Sequence, residues 1–343
     1  MTPSPMSATN RQFRLAARPK GLPKREDWRY VEEPIGEPSD GEVLVETLYL
    51  SLDPAMRGWM NEARSYIAPV AIGDVMRAGG VGRVLASRDR ALAPGLEVRG
   101  SLGVQTHAIV PATALTPIDS SIAPLPRFLG TLGMPGMTAY FGLLDVGRPT
   151  EGDTVVVSAA AGAVGSVVGQ IAGIKGCRVI GIAGGPKKCS YVVDELGFDA
   201  AIDYKSADVA RELRQHCPSG VNVYFDNVGG TILDEVLRLL ALNARVVICG
   251  AISQYNSTAP IRGPANYMSL LVNRASMRGM LVFDYAERYS EAAAQLAEWD
   301  AAGKLKSRED IVVGFERFPE ALLMLFSGEN FGKLVLQVQS AAR

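Results

Sequence analysis

Residues 154–165 read Thr-Val-Val-Val-Ser-Ala-Ala-Ala-Gly-Ala-Val-Gly, and they are the most informative part of this chain. The β-branched run at residues 154–157 has the composition of a buried strand. A glycine turn comes next, and the apolar residues within 167–174 have helical spacing. Gly176 is suited to end that helix, and residues 177–182 supply a second strand. The order strand, glycine turn, helix, strand predicts the start of a Rossmann fold.

The glycine turn is an incomplete form of the dinucleotide-binding fingerprint, because Ala160 stands where the first glycine is usual. Gly162 would let the backbone approach a pyrophosphate, and Gly165 would let the helix pack closely on the strand. The N–H groups and partial positive charge of the helix start favour phosphate. The alternative is a glycine-rich turn in an α/β domain that binds no nucleotide. The strand before the turn and the helix after it favour the dinucleotide site.

The residues after the second strand favour NADP(H) over NAD(H). An NAD site uses an acid at the end of this strand to bind the ribose 2′-hydroxyl. Here the strand ends in Ala-Gly-Gly at residues 183–185, and Lys187 and Lys188 follow. Cations without a nearby carboxylate suit a 2′-phosphate, although both lysines could simply occupy a helix start. Tyr204 follows a third strand candidate at residues 200–202 and could stack or hydrogen-bond nearby.

The composition indicates a two-domain protein of 343 residues with a net charge of −1. That balance argues against general nucleic-acid binding, and no apolar run is long enough to span a membrane. Residues 1–10 are polar and lack the apolar core of a secretory signal, so we expect them to be disordered. We expect a cytoplasmic protein with reduced thiols, because its four cysteines are dispersed and form no C-x-x-C pair.

Metal ligands of the usual zinc type are scarce. The chain has two histidines, His107 and His216, and its cysteines all fall within the nucleotide-binding part. A zinc site is therefore hard to assemble, and we predict no metal site. His107 is interpreted as a packing or surface residue.

The pattern of predicted secondary structure changes near residue 129, from strands alone to strands that alternate with helices. Earlier strand candidates lie at residues 42–50, 80–86 and 105–110. The later predicted helices lie at residues 138–144 and 290–301. The later predicted strands lie at residues 223–226, 245–249, 277–283, 311–315 and 333–338. These patterns predict an α/β protein with a doubly wound parallel sheet at 129–309 and a discontinuous β-rich domain at 11–128 and 310–343.

Seven stretches together have the sequence of a known group of enzymes. They are Tyr49-Leu50-Ser51-Leu52-Asp53-Pro54, Met56-Arg57-Gly58, Gly133-Met134-Pro135-Gly136-Met137-Thr138-Ala139-Tyr140, the glycine turn, Phe225-Asp226-Asn227-Val228-Gly229-Gly230, Cys249-Gly250-Ala251-Ile252-Ser253-Gln254-Tyr255-Asn256, and Asn330-Phe331-Gly332-Lys333. On these residues the chain resembles the medium-chain dehydrogenase/reductase superfamily. Within it, the resemblance is to the zinc-free branch of prostaglandin/leukotriene reductases, plant alkenal double-bond reductases and bacterial curcumin reductases. It covers nearly the whole chain after residue 11.

The resemblance implies a GroES-like β-barrel domain, a Rossmann domain, NADPH as cofactor, and reduction of a carbon–carbon double bond conjugated to a carbonyl. It assigns the pyrophosphate to Gly162, Ala163, Val164 and Gly165, and the adenosine end with its 2′-phosphate to Lys188 and Tyr204. It assigns the path to the nicotinamide to Asn227, Cys249, Gly250, Ala251, Ile252, Ser253, Tyr255, Val282, Phe283 and Asn330. Many relatives have an aromatic residue where this chain has Ala55, so their substrate size does not carry over.

The chemistry of a conjugated enone suits this set of residues. Hydride goes to the β-carbon and charge collects on the carbonyl oxygen, where one hydroxyl donor can stabilise it. Tyr255 is the candidate donor because it follows the carboxyl end of a strand. In the alternative, Tyr255 only shapes the pocket or binds ribose. Tyr66 is a second candidate, in a loop over the substrate, and could equally be an ordinary packed aromatic.

The leading hypothesis is thus a zinc-independent NADPH-dependent reductase of α,β-unsaturated ketones and aldehydes. A quinone reductase is the nearest enzymatic alternative, and a non-catalytic NADPH-binding sensor is the other. We also predict a homodimer, because the apolar sixth strand at residues 277–283 would be exposed at a sheet edge.

Overall fold

The computed structural model describes residues 9–339. The chain forms two compact units. Within the described residues, the first unit contains residues 9–129, Glu309–Asn330 and residues 334–339. The second unit contains Gly130–Arg308 and Phe331–Lys333.

The described residues form strands and helices in the following order. The strands are β1 (Thr9–Leu15), β2 (Trp28–Pro34), β3 (Glu42–Ser51), β4 (Gly79–Ser87), β5 (Glu97–Ser101), β6 (His107–Pro111), β7 (Leu115–Pro117), β8 (Thr154–Ser158), β9 (Arg178–Ala183), β10 (Ala200–Asp203), β11 (Val221–Asp226), β12 (Leu240–Ile248), β13 (Ser276–Gly279), β14 (Glu309–Val313) and β15 (Lys333–Gln337). The α-helices are α1 (Ala55–Trp59), α2 (Met134–Phe141), α3 (Gly165–Ile174), α4 (Pro186–Ser190), α5 (Val209–His216), α6 (Gly230–Leu237), α7 (Met268–Val272), α8 (Tyr289–Ala301) and α9 (Phe318–Ser327).

The second unit contains a six-stranded parallel sheet in the order β10-β9-β8-β11-β12-β13. The chain enters at the centre with β8, moves outward to β10, and then crosses to β11 and the other half. This is the Rossmann order, and it confirms the predicted doubly wound fold. Val155, Val156 and Val157 have no exposed surface, as expected for the central strand. The helix predicted after the glycine turn is α3, and Gly176 follows it with a left-handed φ of 76°.

The sixth strand is shorter than the sequence predicts. Only Ser276–Gly279 is extended, and Val282–Arg288 is a 3₁₀ helix. The reason is the neighbouring strand: Gly279 is paired with Ile248, the last residue of β12, so β13 has no further partner to follow. The predicted strand at residues 311–315 likewise ends at Val313, because Gly314 has a φ of 108° and a 3₁₀ turn begins at Phe315.

The first unit contains a seven-stranded sheet in the order β14-β15-β3-β4-β5-β7, with β6 paired to β3, and a separate β1–β2 hairpin. The carboxyl-terminal strand β15 pairs antiparallel with β3. A core that includes Leu50, Met56 and Leu336 packs against this sheet. The β-rich architecture agrees with the expected GroES-like fold.

The prediction of a disordered segment at residues 1–10 is wrong for its last two residues, and residues 1–8 lie outside the described part. Thr9 pairs with Pro34 and Asn10 pairs with Glu33 in the hairpin. The Asn10 side chain also accepts a hydrogen bond from the His107 amide at 3.0 Å. Backbone pairing and this side-chain anchor order the two polar residues.

Candidate cofactor site

The glycine turn between β8 and α3 is a close-fitting cradle. A Cβ at Gly165 would lie 2.4 Å from the Ala159 carbonyl oxygen, so only glycine fits there. The Gly162 amide donates to the same oxygen at 2.9 Å, and a Cβ at Gly162 would lie 3.1 Å from it. Ala163 and Val164 complete the turn, and α3 begins without a side-chain cap. Its first N–H groups are therefore suited to a phosphate ligand.

Ala160, which replaces the first glycine of the fingerprint, is accommodated by a glycine on the neighbouring strand. Ala160 is completely buried, and its methyl group faces Gly181 on the neighbouring strand β9. A Cβ at Gly181 would lie 2.9 Å from the Ala160 methyl. The space that the fingerprint glycine usually provides is thus supplied by a glycine on the adjacent strand.

Residues 331–333 return to the glycine turn. The Gly332 amide donates to the Ala161 carbonyl oxygen at 2.9 Å, and Gly332 forms an isolated bridge with Gly162. Gly332 has a φ of 64°, and a Cβ there would lie 2.0 Å from the Arg308 carbonyl oxygen. Only glycine is compatible with this conformation and this contact. The turn is therefore braced by a segment about 170 residues away in the sequence.

Lys188 lies on α4 beside the aromatic ring of Phe331. Its Nζ is 5.7 Å from the ring centroid, within the range of a cation–π interaction. The buried Tyr191 ring meets Phe331 edge-on at 5.1 Å. Lys188 is half-buried, whereas Lys187 is exposed. The structure thus separates the two lysines that the sequence offered for the 2′-phosphate, and Lys188 is the one that is held in place.

Tyr204 lies against the end of β9. A Cβ at Gly184 would lie 2.9 Å from the Tyr204 hydroxyl, so the phenol packs directly over the Gly184 backbone. Tyr204 is 44% exposed, which leaves part of the ring open to a ligand. This is where the adenosine end of a dinucleotide lies in a Rossmann fold.

Asp203 lies beside the end of β9, although the sequence did not predict an acid at this position. It ends β10, and its Oδ1 accepts hydrogen bonds from the Gly185 amide at 2.7 Å and the Lys205 amide at 3.0 Å. Its Oδ2 accepts from the Ser206 hydroxyl at 2.8 Å. The Gly185 hydrogen bond is the main reason that the pKa of Asp203 lies below its usual value. Strand β9 ends without an acid, and Asp203 does not take the place of that acid as a ligand for the ribose. Its carboxylate is used to cap the turn at Gly185.

Asn227 is fixed at the carboxyl end of the sheet. Its Nδ2 donates to the Ser158 carbonyl oxygen at 2.8 Å, and its amide donates to the Ser158 hydroxyl oxygen at 2.9 Å. That hydroxyl donates to Asp226, which is 1% exposed. Tyr224 donates to the same carboxylate at 2.8 Å, and burial raises the pKa of Tyr224 well above its usual value. Neither Ser158 nor Asp226 was predicted as part of the site, although both end neighbouring parallel strands, where side chains meet.

The loop after β12 is bound to the same edge of the sheet. The amides of Cys249 and Gly250 donate to the Asp226 carbonyl oxygen at 2.9 and 3.1 Å. Ile252 donates to the Asn227 carbonyl oxygen at 3.2 Å, and Ser253 binds the Val228 carbonyl oxygen. Burial raises the pKa of the Cys249 thiol to about 12, so it remains a protonated thiol at neutral pH. The loop is a rigid rim beside Asn227.

Tyr255 closes this loop onto its own backbone. The Ala251 amide donates to the Tyr255 hydroxyl oxygen at 3.2 Å, and a Cβ at Gly250 would lie 3.0 Å from that oxygen. The phenol is therefore positioned over Gly250 with the amide as donor, and its own O–H is directed away from that amide.

The remaining predicted residues divide between the two units. Val282 is buried and Phe283 is 43% exposed at the start of the 3₁₀ helix after β13, and the Tyr289 hydroxyl donates to the Val282 carbonyl oxygen at 3.0 Å. Tyr66 and Asn330 belong to the first unit. Tyr66 is 53% exposed and accepts a hydrogen bond from the Trp59 indole at 3.1 Å.

Residues 9–339 lack the features of two other classes of site. No group of three or more His, Cys, Asp or Glu side chains in this part of the chain is arranged to hold a metal ion. None of its helices combines the length and apolar character needed to cross a bilayer. The four cysteines are free thiols.

The fold and this site define an oxidoreductase of the dinucleotide-binding type, and sequence comparison agrees. Residues 11–118 match the family model described as the N-terminal domain of oxidoreductase, and residues 163–299 match the one described as zinc-binding dehydrogenase. The chain belongs to the medium-chain dehydrogenase/reductase superfamily, in its zinc-free reductase branch.

Particular relatives cover nearly all of both chains. The NADPH-dependent curcumin reductase of Escherichia coli is 42% identical over 96% of this chain and 97% of its own. The NADP(+)-dependent 2-alkenal reductase of Nicotiana tabacum is 40% identical over 96% and 98%. The crystal structure of CurA in complex with NADPH from Vibrio vulnificus is 46% identical, covers 96% of this chain and 99% of its own, and has a TM-score of 0.91.

Proposed function

We propose that this protein is an NADPH-dependent reductase of carbon–carbon double bonds conjugated to a ketone or aldehyde. The observation that carries the proposal is the carboxyl edge of the parallel sheet in the second unit. It gathers the glycine cradle, Lys188, Asn227 and the Tyr255 loop along one rim. Ligands of doubly wound sheets bind at this edge. The curcumin and 2-alkenal reductases named above support the substrate class, because both names describe reduction of conjugated compounds.

The binding roles follow from the geometry of each group. Gly162 through Gly165 would receive the pyrophosphate, because Gly165 admits no Cβ and the turn presents helix N–H groups. Lys188 and Tyr204 would hold the adenosine end with its 2′-phosphate. Asn227, Val282, Phe283 and the 249–255 loop would line the path to the nicotinamide. We assign Asn330 to the same path, as the resemblance implies.

The chemical step needs one donor from the protein. When bound, NADPH would supply the hydride that the β-carbon of the substrate receives. The electron pair of the double bond would move toward the carbonyl oxygen, and a proton from solvent would then reach the α-carbon to complete the saturated product. We assign Tyr255 to donate a hydrogen bond to that oxygen as its charge develops. Tyr66 is assigned to the substrate loop. No metal is required for this step.

A panel assay tests the function directly. Consumption of NADPH is followed with enones, enals and quinones, and the saturated product is identified by mass spectrometry. The proposal expects reduction of the double bond with the carbonyl retained. Turnover of quinones alone would identify a quinone reductase, and NADPH binding without turnover of any class would identify a sensor. Either result contradicts the proposal.

We also propose a cytoplasmic homodimer. Strand β13 lies at the edge of the parallel sheet, and all four of its residues are exposed. Several apolar side chains just before it in the chain are also exposed: Tyr267 (57%), Met268 (50%), Leu271 (70%) and Val272 (66%). An unpaired edge with adjoining apolar residues favours pairing with a second copy. The four free thiols support a reducing compartment.

A further inference from the structure

We propose that Arg308 is a second cation for the 2′-phosphate of the cofactor, held beside Lys188 by the ring of Phe331. This inference rests on the proposed NADP(H) site and extends it. The sequence offered only Lys187 and Lys188 for this role, since Arg308 is about 120 residues further along the chain. The structure brings Arg308 and Lys188 to one aromatic ring.

The contacts define a compact group of two cations and two rings. The Arg308 guanidinium carbon lies 4.2 Å from the Phe331 centroid and 5.6 Å from the Tyr191 centroid. Lys188 Nζ lies 5.7 Å from the same Phe331 centroid. Tyr191 is buried and meets Phe331 edge-on, so the rings form a fixed platform. Both cations are therefore restrained to the surroundings of a single side chain.

The Arg308 backbone is tied to the glycine cradle. Its carbonyl oxygen accepts a hydrogen bond from the Lys333 amide at 2.9 Å. The preceding residue, Gly332, donates to the Ala161 carbonyl oxygen at 2.9 Å, and its Cα packs against the Arg308 carbonyl. Two hydrogen bonds on adjacent residues thus connect Arg308 to the turn that would hold the pyrophosphate.

The charge of Arg308 is exposed and has no acidic partner within residues 9–339. A guanidinium presents a planar fork of donors that matches a phosphate, whereas an ammonium acts as a point charge. Two cations near one ring repel each other, and a phosphate dianion that binds both would reduce that repulsion.

The ordinary alternative is that Arg308 only packs on Phe331 and supports the cradle. The two roles differ in what they discriminate. A phosphate-binding cation affects only ligands that carry the 2′-phosphate. A supporting residue affects every ligand that uses the cradle.

Isothermal titration calorimetry with 2′,5′-ADP and 5′-AMP separates these roles, because the two nucleotides differ only in the 2′-phosphate. The variants are Arg308→Gln, Arg308→Lys and, as a control, Lys187→Ala, which removes an exposed cation on the helix that carries Lys188. We expect Arg308→Gln to weaken 2′,5′-ADP about tenfold or more, the size of one charge-assisted contact. Binding of 5′-AMP should stay within about twofold. Arg308→Lys should retain part of the affinity, and Lys187→Ala nearly all of it.

The outcomes are distinguishable. Equal weakening of both nucleotides by Arg308→Gln, or no weakening of either, overturns the role of Arg308. If the unmodified protein itself does not prefer 2′,5′-ADP over 5′-AMP, the proposed NADP(H) site fails instead. Circular-dichroism melting of each variant checks the fold, and Arg308→Lys still tests the charge if Arg308→Gln unfolds.

Discussion

The amide of Gly332 donates a hydrogen bond to the carbonyl oxygen of Ala161 at 2.9 Å, which joins the carboxyl-terminal part of the chain to the glycine turn. The left-handed φ of Gly332 and its contact with the Arg308 carbonyl oxygen both require glycine. The cofactor cradle therefore depends on chain far outside the local fingerprint.

Replacement of Gly332 by Ala should disrupt the contact between Gly332 and the glycine turn. Gly303 is a matched control, because its φ of 68° is similar but a Cβ there meets nothing within 4 Å. Gly303→Ala reports only the cost of the left-handed conformation, about 1 kcal/mol. Gly332→Ala adds a clash and should lower the free energy of unfolding by at least about 2 kcal/mol more, with weaker NADPH binding. Urea denaturation and calorimetry measure both, and equal effects at the two positions would contradict the role of this contact.

Lys188→Ala should raise the KM for NADPH about tenfold or more and leave the KM for NADH nearly unchanged, because one charge-assisted contact to the 2′-phosphate is lost. Lys187→Ala is the control, since Lys187 is exposed and should affect neither cofactor strongly. Steady-state kinetics with both cofactors measure this. Equal use of NADPH and NADH by the unmodified protein would overturn the assignment.

Tyr255→Phe should lower the rate of hydride transfer about tenfold to a hundredfold with little change in NADPH affinity, because the donor to the carbonyl oxygen is removed. Loss of the bond from the Ala251 amide is an additional effect, so melting temperatures should accompany the kinetics. Tyr30→Phe, at a 40% exposed position in the first unit, is the control. Stopped-flow measurement with a simple enone is the readout. An unchanged rate of hydride transfer with a raised substrate KM would show that Tyr255 only shapes the substrate pocket, and it would contradict the assignment as a donor.

Exhaustive chelation should leave activity intact, and elemental analysis should find no stoichiometric zinc, because the proposed reaction stabilises charge with a hydroxyl donor. The measurement is the enone assay before and after dialysis against a chelator. Activity that is lost on chelation and restored by zinc would refute the mechanism.

The protein should be a dimer in light scattering at micromolar concentration. Leu271→Glu places a charge among the exposed apolar residues before β13 and should shift the molecule toward monomer. Ile122→Glu, at a 59% exposed position in the first unit, should not. A monomeric unmodified protein would count decisively against the proposed assembly.

The local sequence determined the architecture of the second unit. A β-branched strand, a glycine turn and helical spacing are short-range patterns, and each specifies its own backbone conformation. They correctly predicted α3, the flanking strands β8 and β9, and the Rossmann order that places β13 at the edge. The prediction failed where an element depended on its neighbour, as at β13, which stops where β12 ends.

Only the tertiary structure decided several contacts around the proposed cofactor site. It set Gly181 opposite Ala160, which accommodates the missing fingerprint glycine, and brought Asp203 from the next strand to the Gly185 amide. It also returned Phe331 and Arg308 to Lys188. These contacts join residues that are distant in sequence, and no local pattern specifies them. They arise because parallel strand order and the return of the chain to the second unit determine which side chains meet.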